Sequence, residues 1–350
     1  MNFASDNTAG MAPEILDALG KANTGYALGY GNDDWTKRVE QRLAEIFEHE
    51  VAVFLVPTGT AANALALAHL SPPWGAVLCH AESHIATDEC GAPEFFGGGL
   101  KLVGLKGEGS KVAPATLRAA LEQGAWGGPH HVSPSVLSLS QATECGTIYR
   151  VGEIRELADI AHKHGVALHM DGARLGNAMA RMNVSPADAT WKAGVDVLSF
   201  GATKGGAMGA EAVVFFDPKR GANMPDRRKR GGATASKHRF IAAQMEAYLA
   251  GDLWLTLARH ANDMADALSA GLTAAGCKPV WPVEANEVFA PLTEAIDKKL
   301  KAAGAAYYPW KSDSLPGNVS IGADRTLVRL VTSFQTTKGD VETFLAVVRS

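Results

Sequence analysis

A carboxylate and a lysine set 33 residues apart are the most chemically suggestive pair in the chain: Asp171 in His169-Met170-Asp171-Gly172-Ala173-Arg174, and Lys204 in Ser199-Phe200-Gly201-Ala202-Thr203-Lys204-Gly205-Gly206. Each motif closes an apolar run that reads as a buried strand, Gly165 to Met170 and Val195 to Phe200. A lysine just past one strand can form a Schiff base with an aldehyde. A carboxylate at the end of another can keep a pyridine nitrogen protonated and so make the ring an electron sink. Together they suit pyridoxal phosphate (PLP) chemistry. Either residue alone has a plain structural use, Asp171 as a helix cap and Lys204 as a solvated loop lysine.

Other residue patterns fall in with this pair. Pro57-Thr58-Gly59-Thr60-Ala61-Ala62-Asn63 follows an apolar run and opens a helix. Free N–H groups at a helix start, with glycine allowing close approach, make Gly59 and Thr60 candidates to hold a phosphate, unless Thr58 and Thr60 simply cap the helix. His84 could stack on a pyridine ring or move protons near neutral pH, or serve the core. Asp88, four residues on, could orient His84 by a hydrogen bond and stands with the substrate-facing candidates. His130 and His131 precede a strand, placing one of them at a site mouth or both on the surface. Arg329 sits inside the apolar run Leu327–Val331. An ionised guanidinium there requires an anion, either a substrate carboxylate gripped bidentately or an internal acid.

The elements that must position these groups follow from hydrophobic periodicity. Short apolar runs at Val51–Val56, Ala76–Cys79, Leu100–Leu105, Ser135–Ser140, Val166–Met170, Val195–Phe200 and Ala212–Phe216 alternate with helical stretches. In Thr36–Glu50, Val39, Leu43, Ile46 and Phe47 share a face, and Val151–His164 repeats the pattern with Ile154, Leu157, Ala158 and Ala161. Strands this apolar belong to a sheet covered on both faces, and the alternation predicts an α/β fold with a mostly parallel sheet. After Phe216 the texture changes. A basic loop, Lys219–Arg230, precedes helical sequence from about Ser236 to Ala275, broken at Gly251, and then shorter strand and helix candidates. The expected division is a large unit, 1–250, whose first ~20 residues reach the site, and a smaller α+β unit, 251–350.

Composition narrows the class. At 350 residues, 47% apolar and 20% charged, the chain can bury a sizeable core. A net charge of −4 offers no footprint for nucleic acid or an anionic membrane, and Arg227–Arg230 is too short a basic run to supply one. Four scattered cysteines form neither a disulfide framework nor a metal-ligand spacing. With no basic-then-apolar N-terminal stretch and no ~20-residue apolar run, a cytoplasmic location without metal is expected.

Taken in order, the motifs resemble the low-specificity L-threonine aldolases of PLP fold type I, in the aspartate aminotransferase-like superfamily. The resemblance runs from Phe3-Ala4-Ser5-Asp6-Asn7 through Gly29-Tyr30-Gly31-Asn32-Asp33, Gly59–Asn63, Thr87–Phe96 and Gln141-Ala142-Thr143-Glu144. It continues through His169–Arg174, Thr190–Asp196, Ser236-Lys237-His238-Arg239-Phe240 and Arg329-Leu330-Val331. Many members carry Glu-Asn-Thr-His where this chain has Gln141–Glu144, and many others supply an arginine near Lys237; Thr87–Gly91 and Ser236–Phe240 resemble one bacterial branch. The resemblance implies that Lys204 holds the cofactor, Asp171 pairs with its ring nitrogen and His84 stacks on the ring. Gly59 and Thr60 would hold the phosphate, with Lys237 reaching it from a neighbouring subunit of a homotetramer. Arg174 would contact the ring oxygen and the substrate carboxylate, Ser5 and Arg329 the same carboxylate, and Tyr30 would line the site across the interface. The implied reaction is retro-aldol cleavage of L-threonine, L-allo-threonine and related β-hydroxy-α-amino acids to glycine and an aldehyde, with His84 or His130 as the base. Alternatives are a phenylserine-preferring aldolase, a serine hydroxymethyltransferase-like enzyme and a PLP-fold binding protein without turnover.

Overall fold

The computed structural model describes all 350 residues. Seven strands, β1 (Ala52–Val56), β2 (Gly75–His80), β3 (Lys101–Leu105), β4 (Ser133–Ser140), β5 (Ala167–Gly172), β6 (Val197–Gly201) and β7 (Glu211–Phe215), form one sheet in the order β1-β7-β6-β5-β4-β2-β3. The run β6-β5-β4-β2-β3 is parallel, while β7 lies antiparallel to both its neighbours. Every residue of β2, β6 and β7 is buried, which is what a sheet with helices on both faces demands. The expected mostly parallel α/β sheet is therefore the one the chain forms.

The covering helices begin where side chains can satisfy free N–H groups. Asp33 accepts from Thr36 N at 2.9 Å and starts Asp34–Ile46, whose Val39 and Leu43 are buried. Glu153 accepts from Arg150 N at 2.7 Å and starts Val151–Lys163. The Gly59–Leu70 helix is apolar almost all round and packs against β5, β6 and β7 with its N-terminus at the sheet's C-terminal edge. Phe200 in β6 is fully buried, its ring 5.6 Å from Trp254 and 6.4 Å from Phe47. Truncating it to alanine would cost about 3–5 kcal/mol and loosen the strand that carries Lys204.

A second sheet is antiparallel, β8 (Glu287–Thr293), β10 (Arg325–Val331) and β9 (Tyr308–Pro309), in the order β8-β10-β9. Its core combines Leu268, Val288, Leu292, Leu330 and Phe344 with Phe3 from the chain's start. Phe3 N donates to Ala306 O at 2.8 Å, and Val331 N donates to Phe3 O at 2.9 Å. This pinning delivers Ser5, Asp6 and Asn7 to the large sheet. The helical run beyond Ser236 breaks as expected: helices Arg239–Leu249 and Leu253–Ala274 flank Gly251, whose φ of 55° is left-handed backbone that suits glycine. Pro291–Thr293 completes β8, pairing with Leu327, Thr326 and Arg325. No helix is long and apolar enough to cross a membrane.

Candidate active site

The C-terminal ends of β4, β5 and β6 and the start of the Gly59–Leu70 helix enclose a cavity of about 290 Å³, lined mostly by polar side chains. Ligand sites in open α/β sheets lie at this edge. Six expected residues line it together: Gly59, Thr60, His84, Asp171, Arg174 and Lys204. The cavity also contains five polar groups to which the sequence assigned no role: Asn7, Asn63, Glu89, Glu144 and Glu211.

Asp171, at the end of β5, is held from both sides. Its Oδ1 accepts from Ala173 N at 2.9 Å and its Oδ2 from Asn63 Nδ2 at 2.7 Å. Asn63 also donates to Glu89 Oε1 at 2.9 Å, and that oxygen meets His84 Nδ1 at 2.9 Å. Burial raises the Glu89 carboxyl, and the hydrogen bond that His84 donates to Glu89 raises the imidazole, so the pair favours holding a proton between its two groups. Glu144 stands on the same wall. Its Oε1 accepts from Ser140 Oγ at 2.6 Å and from His84 N at 2.8 Å, and burial pushes its carboxyl up to about 7. Glu211, at the start of β7, is likewise pushed up to about 7 by burial.

Across the cavity the charges are matched. Arg174 Nε donates to Asp6 Oδ2 at 2.8 Å and its Nη2 to Asp6 Oδ1 at 3.1 Å, with Glu287 Oε1 3.4 Å from Nη2. Asn286 Nδ2 adds a bond to Asp6 Oδ2 at 3.1 Å. Burial opposes the charge on Asp6, but Arg174 and then Lys204 outweigh it and lower the carboxyl. His169, in the Asp171 motif, serves the core instead: its ring nitrogens meet Ser138 Oγ at 2.9 Å and Ser199 Oγ at 3.0 Å, and burial drives its pKa down to about 4.

Other expected residues lie elsewhere. Asp88 is exposed and bonded to the Thr87 hydroxyl; the carboxylate on His84 belongs to Glu89. The i+4 expectation needed a continuing helix, and this one stops at Thr87, with Cys90 at φ 51° and Gly91 at φ 73° turning the chain inward. His130 lies beside Lys101 and Trp126, in the loop that enters β4. The cavity is at the far end of that eight-residue strand, roughly 25 Å on at ~3.3 Å per residue. Within one subunit His130 is thus too distant to be the base. Arg329 carries its charge 4.9 Å above the Trp310 ring and 6.0 Å above Tyr308, with Nη2 donating to Ala4 O at 3.4 Å. No acid sits within ion-pair distance of it; Glu287 feels its charge from further away. Ser5 caps the short turn Asp6–Thr8 by accepting from Asn7 N at 3.1 Å, two residues before the cavity wall. Tyr30 and Lys237 stand together outside the cavity: Tyr30 N donates to Ser236 O at 3.1 Å, and the 54% exposed Tyr30 ring faces Lys229 at 4.7 Å.

These residues fit PLP. The N–H groups of Gly59 and Thr60 open the helix with no partner in the chain, an anion site on the axis of the helix dipole. Asp171 is fixed in the cavity at the end of β5, and Lys204 stands just past the end of the neighbouring parallel strand β6. Asn63 Oδ1, Glu89 Oε2 and Glu144 Oε2, all on lining residues, are buried without partners, as expected where a polar ligand belongs. No group of three or more His, Cys, Asp or Glu is placed to hold a metal ion.

Comparison with known proteins agrees. The sequence pattern of the β-eliminating lyases matches residues 2–295. The chain is 44% identical over 309 residues to a low specificity L-threonine aldolase of Pseudomonas aeruginosa, and 42% identical over 308 residues to one from another Pseudomonas strain. Both alignments cover 87% of this chain and 88% of the relative. A solved threonine aldolase of Leishmania major superposes with a TM-score of 0.92 at 29% identity, over 99% of this chain and 98% of that one. A serine palmitoyltransferase solved with PLP shares the fold alone, at 17% identity and a TM-score of 0.70. The chain belongs to the β-eliminating lyase family, in its low specificity L-threonine aldolase branch.

Proposed function

We propose that the protein cleaves L-threonine, L-allo-threonine and related β-hydroxy-α-amino acids to glycine and an aldehyde. The observation that carries the reading is the convergence of Lys204, Asp171 and His84 with the free helix N–H groups of Gly59 and Thr60 on one polar cavity. Lys204 would supply the amine that bonds PLP, Asp171 would hold the ring nitrogen, His84 would stack on the ring and Gly59 and Thr60 would take the phosphate. When bound, the cofactor supplies an electron sink for the carbon next to the amino group. The chain's own groups then decide which bond is exposed to it. Arg174, fixed by Asp6, and Arg329 together with Ser5 orient the substrate carboxylate. Removal of the β-hydroxyl proton falls to the wall that holds His84 and Glu144. Aldehyde release from L- and D-threonine, allo-threonine and phenylserine by the PLP-loaded protein tests this. Cleavage of the L-threonine forms is expected, and no aldehyde from any substrate would overturn it. A phenylserine preference, or serine cleavage that requires folate, would move the reading to the corresponding alternative.

The same proposal includes a cytoplasmic homotetramer whose sites are shared. Tyr26, Leu28 and Tyr30 are 107%, 71% and 54% exposed on one segment, an apolar surface that favours a partner, and Lys237 stands beside it. Light scattering should give four copies, and Lys237→Ala should weaken PLP binding. The division at 250/251 is kept as a proposal, supported by the separate core under the smaller sheet.

A further inference from the structure

We propose that Glu144 is the acid–base residue that takes the β-hydroxyl proton of the substrate, through its Oε2 atom. This rests on the aldolase reading above. The geometry isolates that oxygen. Both donors to the side chain, Ser140 Oγ and His84 N, converge on Oε1, while Oε2 is buried without a partner on a residue that lines the cavity. The turn that carries Glu144 is rigidly backed. Gln141 and Tyr149 exchange two hydrogen bonds, at 2.8 and 2.9 Å, and Thr143 Oγ1 donates to Gly109 O at 2.9 Å. The carboxyl therefore has a fixed direction and one free acceptor.

The neighbouring alternative is weaker. His84 has Nδ1 committed to Glu89, and that contact favours the protonated form of the imidazole, which has no acceptor to offer. The groups facing Glu144 are His84 on its own wall, Asp171 on the neighbouring strand, Arg174 across the cavity, and Cys79 and Tyr149 behind it. Burial and Asp171 favour its neutral form, whereas the Ser140 and His84 donors favour the carboxylate. The balance leaves its pKa at about 7, where a general base works best.

The step balances within the substrate and this residue. The hydroxyl O–H bond breaks and its proton passes to Glu144 Oε2. The O–H electron pair becomes the second bond of the aldehyde carbonyl. The Cα–Cβ pair stays with the glycine fragment until a proton replaces Cβ at Cα.

Two variants of the PLP-loaded enzyme test it. Glu144→Gln keeps the shape and the Oε1 acceptor but cannot take a proton. kcat for threonine should fall by roughly 10²–10⁴-fold and lose its acid limb, while the absorbance change on adding glycine, which has no hydroxyl, keeps its wild-type midpoint. Ser140→Ala removes a donor to the carboxylate, so the acid limb of kcat should move to higher pH. Near-normal turnover in Glu144→Gln, loss of glycine binding along with turnover, or an unmoved limb in Ser140→Ala would each overturn the proposal. A wild-type enzyme that releases no aldehyde but still binds glycine would instead refute the aldolase reading.

Discussion

The two walls of the cavity treat buried charge in opposite ways. On one, Arg174 is gripped by Asp6 and approached by Glu287, and Asn286 completes the set, so the guanidinium and the Asp6 carboxylate match each other in contact, while Glu287 is raised by burial and keeps its Oε2 unpaired. On the other, Glu89 and Glu144 are buried with neutral or shared donors, and each keeps an unpaired oxygen. The first wall is built to hold charge and shape. The second is built to hold or release protons, because burial raises both carboxyls and no arginine or lysine pairs with either. Lys204 and Asp171 stand between them.

The largest effect should come from the residue that belongs to neither wall. Lys204→Ala should abolish aldehyde release yet leave the melting temperature near wild type, since Lys204 lines the cavity rather than the packed core. Normal turnover in this variant would end the site assignment. Asp171→Asn should lower kcat roughly ten- to a hundredfold, the worth of a hydrogen bond to a charged group, with a smaller change in KM. Equal losses in the two parameters would reduce Asp171 to a binding residue.

On the charge-matched wall, Asp6→Asn should destabilise the protein by about 3–5 kcal/mol, because it leaves the Arg174 guanidinium buried with only Glu287 nearby. Urea unfolding measures this, and a loss below 1 kcal/mol would show that Glu287 or water compensates. Arg329→Lys should cost about tenfold in kcat/KM with threonine and phenylserine alike. Lysine keeps the charge but loses both the planar stack on Trp310 and the second donor a carboxylate needs. Unequal losses with the two substrates would place Arg329 near the β-substituent instead.

How much of this was legible in the chain depended on whether a position was set locally. The placement of Asp171 and Lys204 on one cavity could be read because each follows an apolar strand, and strand ends in a parallel sheet converge on one edge. Gly59 and Thr60 could be read from a helix start. Glu89 was missed in favour of Asp88 because the helical spacing assumed one more turn, and two left-handed residues, Cys90 and Gly91, ended it. Glu144 carried a usable mark, four residues past the last strand residue at Ser140, but its function depends on burial that no spacing reveals. Asp6 could not be assigned to Arg174 from sequence, since their contact spans 168 residues and exists only because Phe3 is anchored in the smaller core. Arg329 was expected to meet an anion. Within the chain it meets aromatic faces and a carbonyl, and its Nε stays buried without a partner, an arrangement that an argument from opposite charges does not anticipate.

The smallest predicted effect tests the proton-holding character away from the catalytic wall. Glu211 is fully buried at the start of β7, bonded at Oε1 by Thr203 N at 3.3 Å, and burial lifts its carboxyl from 4.5 to about 7. Below pH 4.5 it is protonated in both folded and unfolded chains and contributes nothing to the pH dependence. Between pH 4.5 and 7 the unfolded chain has released the proton and the folded chain has not, so the folded state binds more protons and its stability falls as pH rises. Above 7 the loss is complete, on the order of 3 kcal/mol at most. Glu211→Gln has no proton to lose. Its melting temperature should match the wild type near pH 5 and exceed it by a few degrees at pH 8, with the gap opening as pH rises. Parallel curves would mean that Glu211 is ionised throughout with Lys204 as its counter-charge, and the contrast between matched and unmatched acids would then be confined to Glu89 and Glu144.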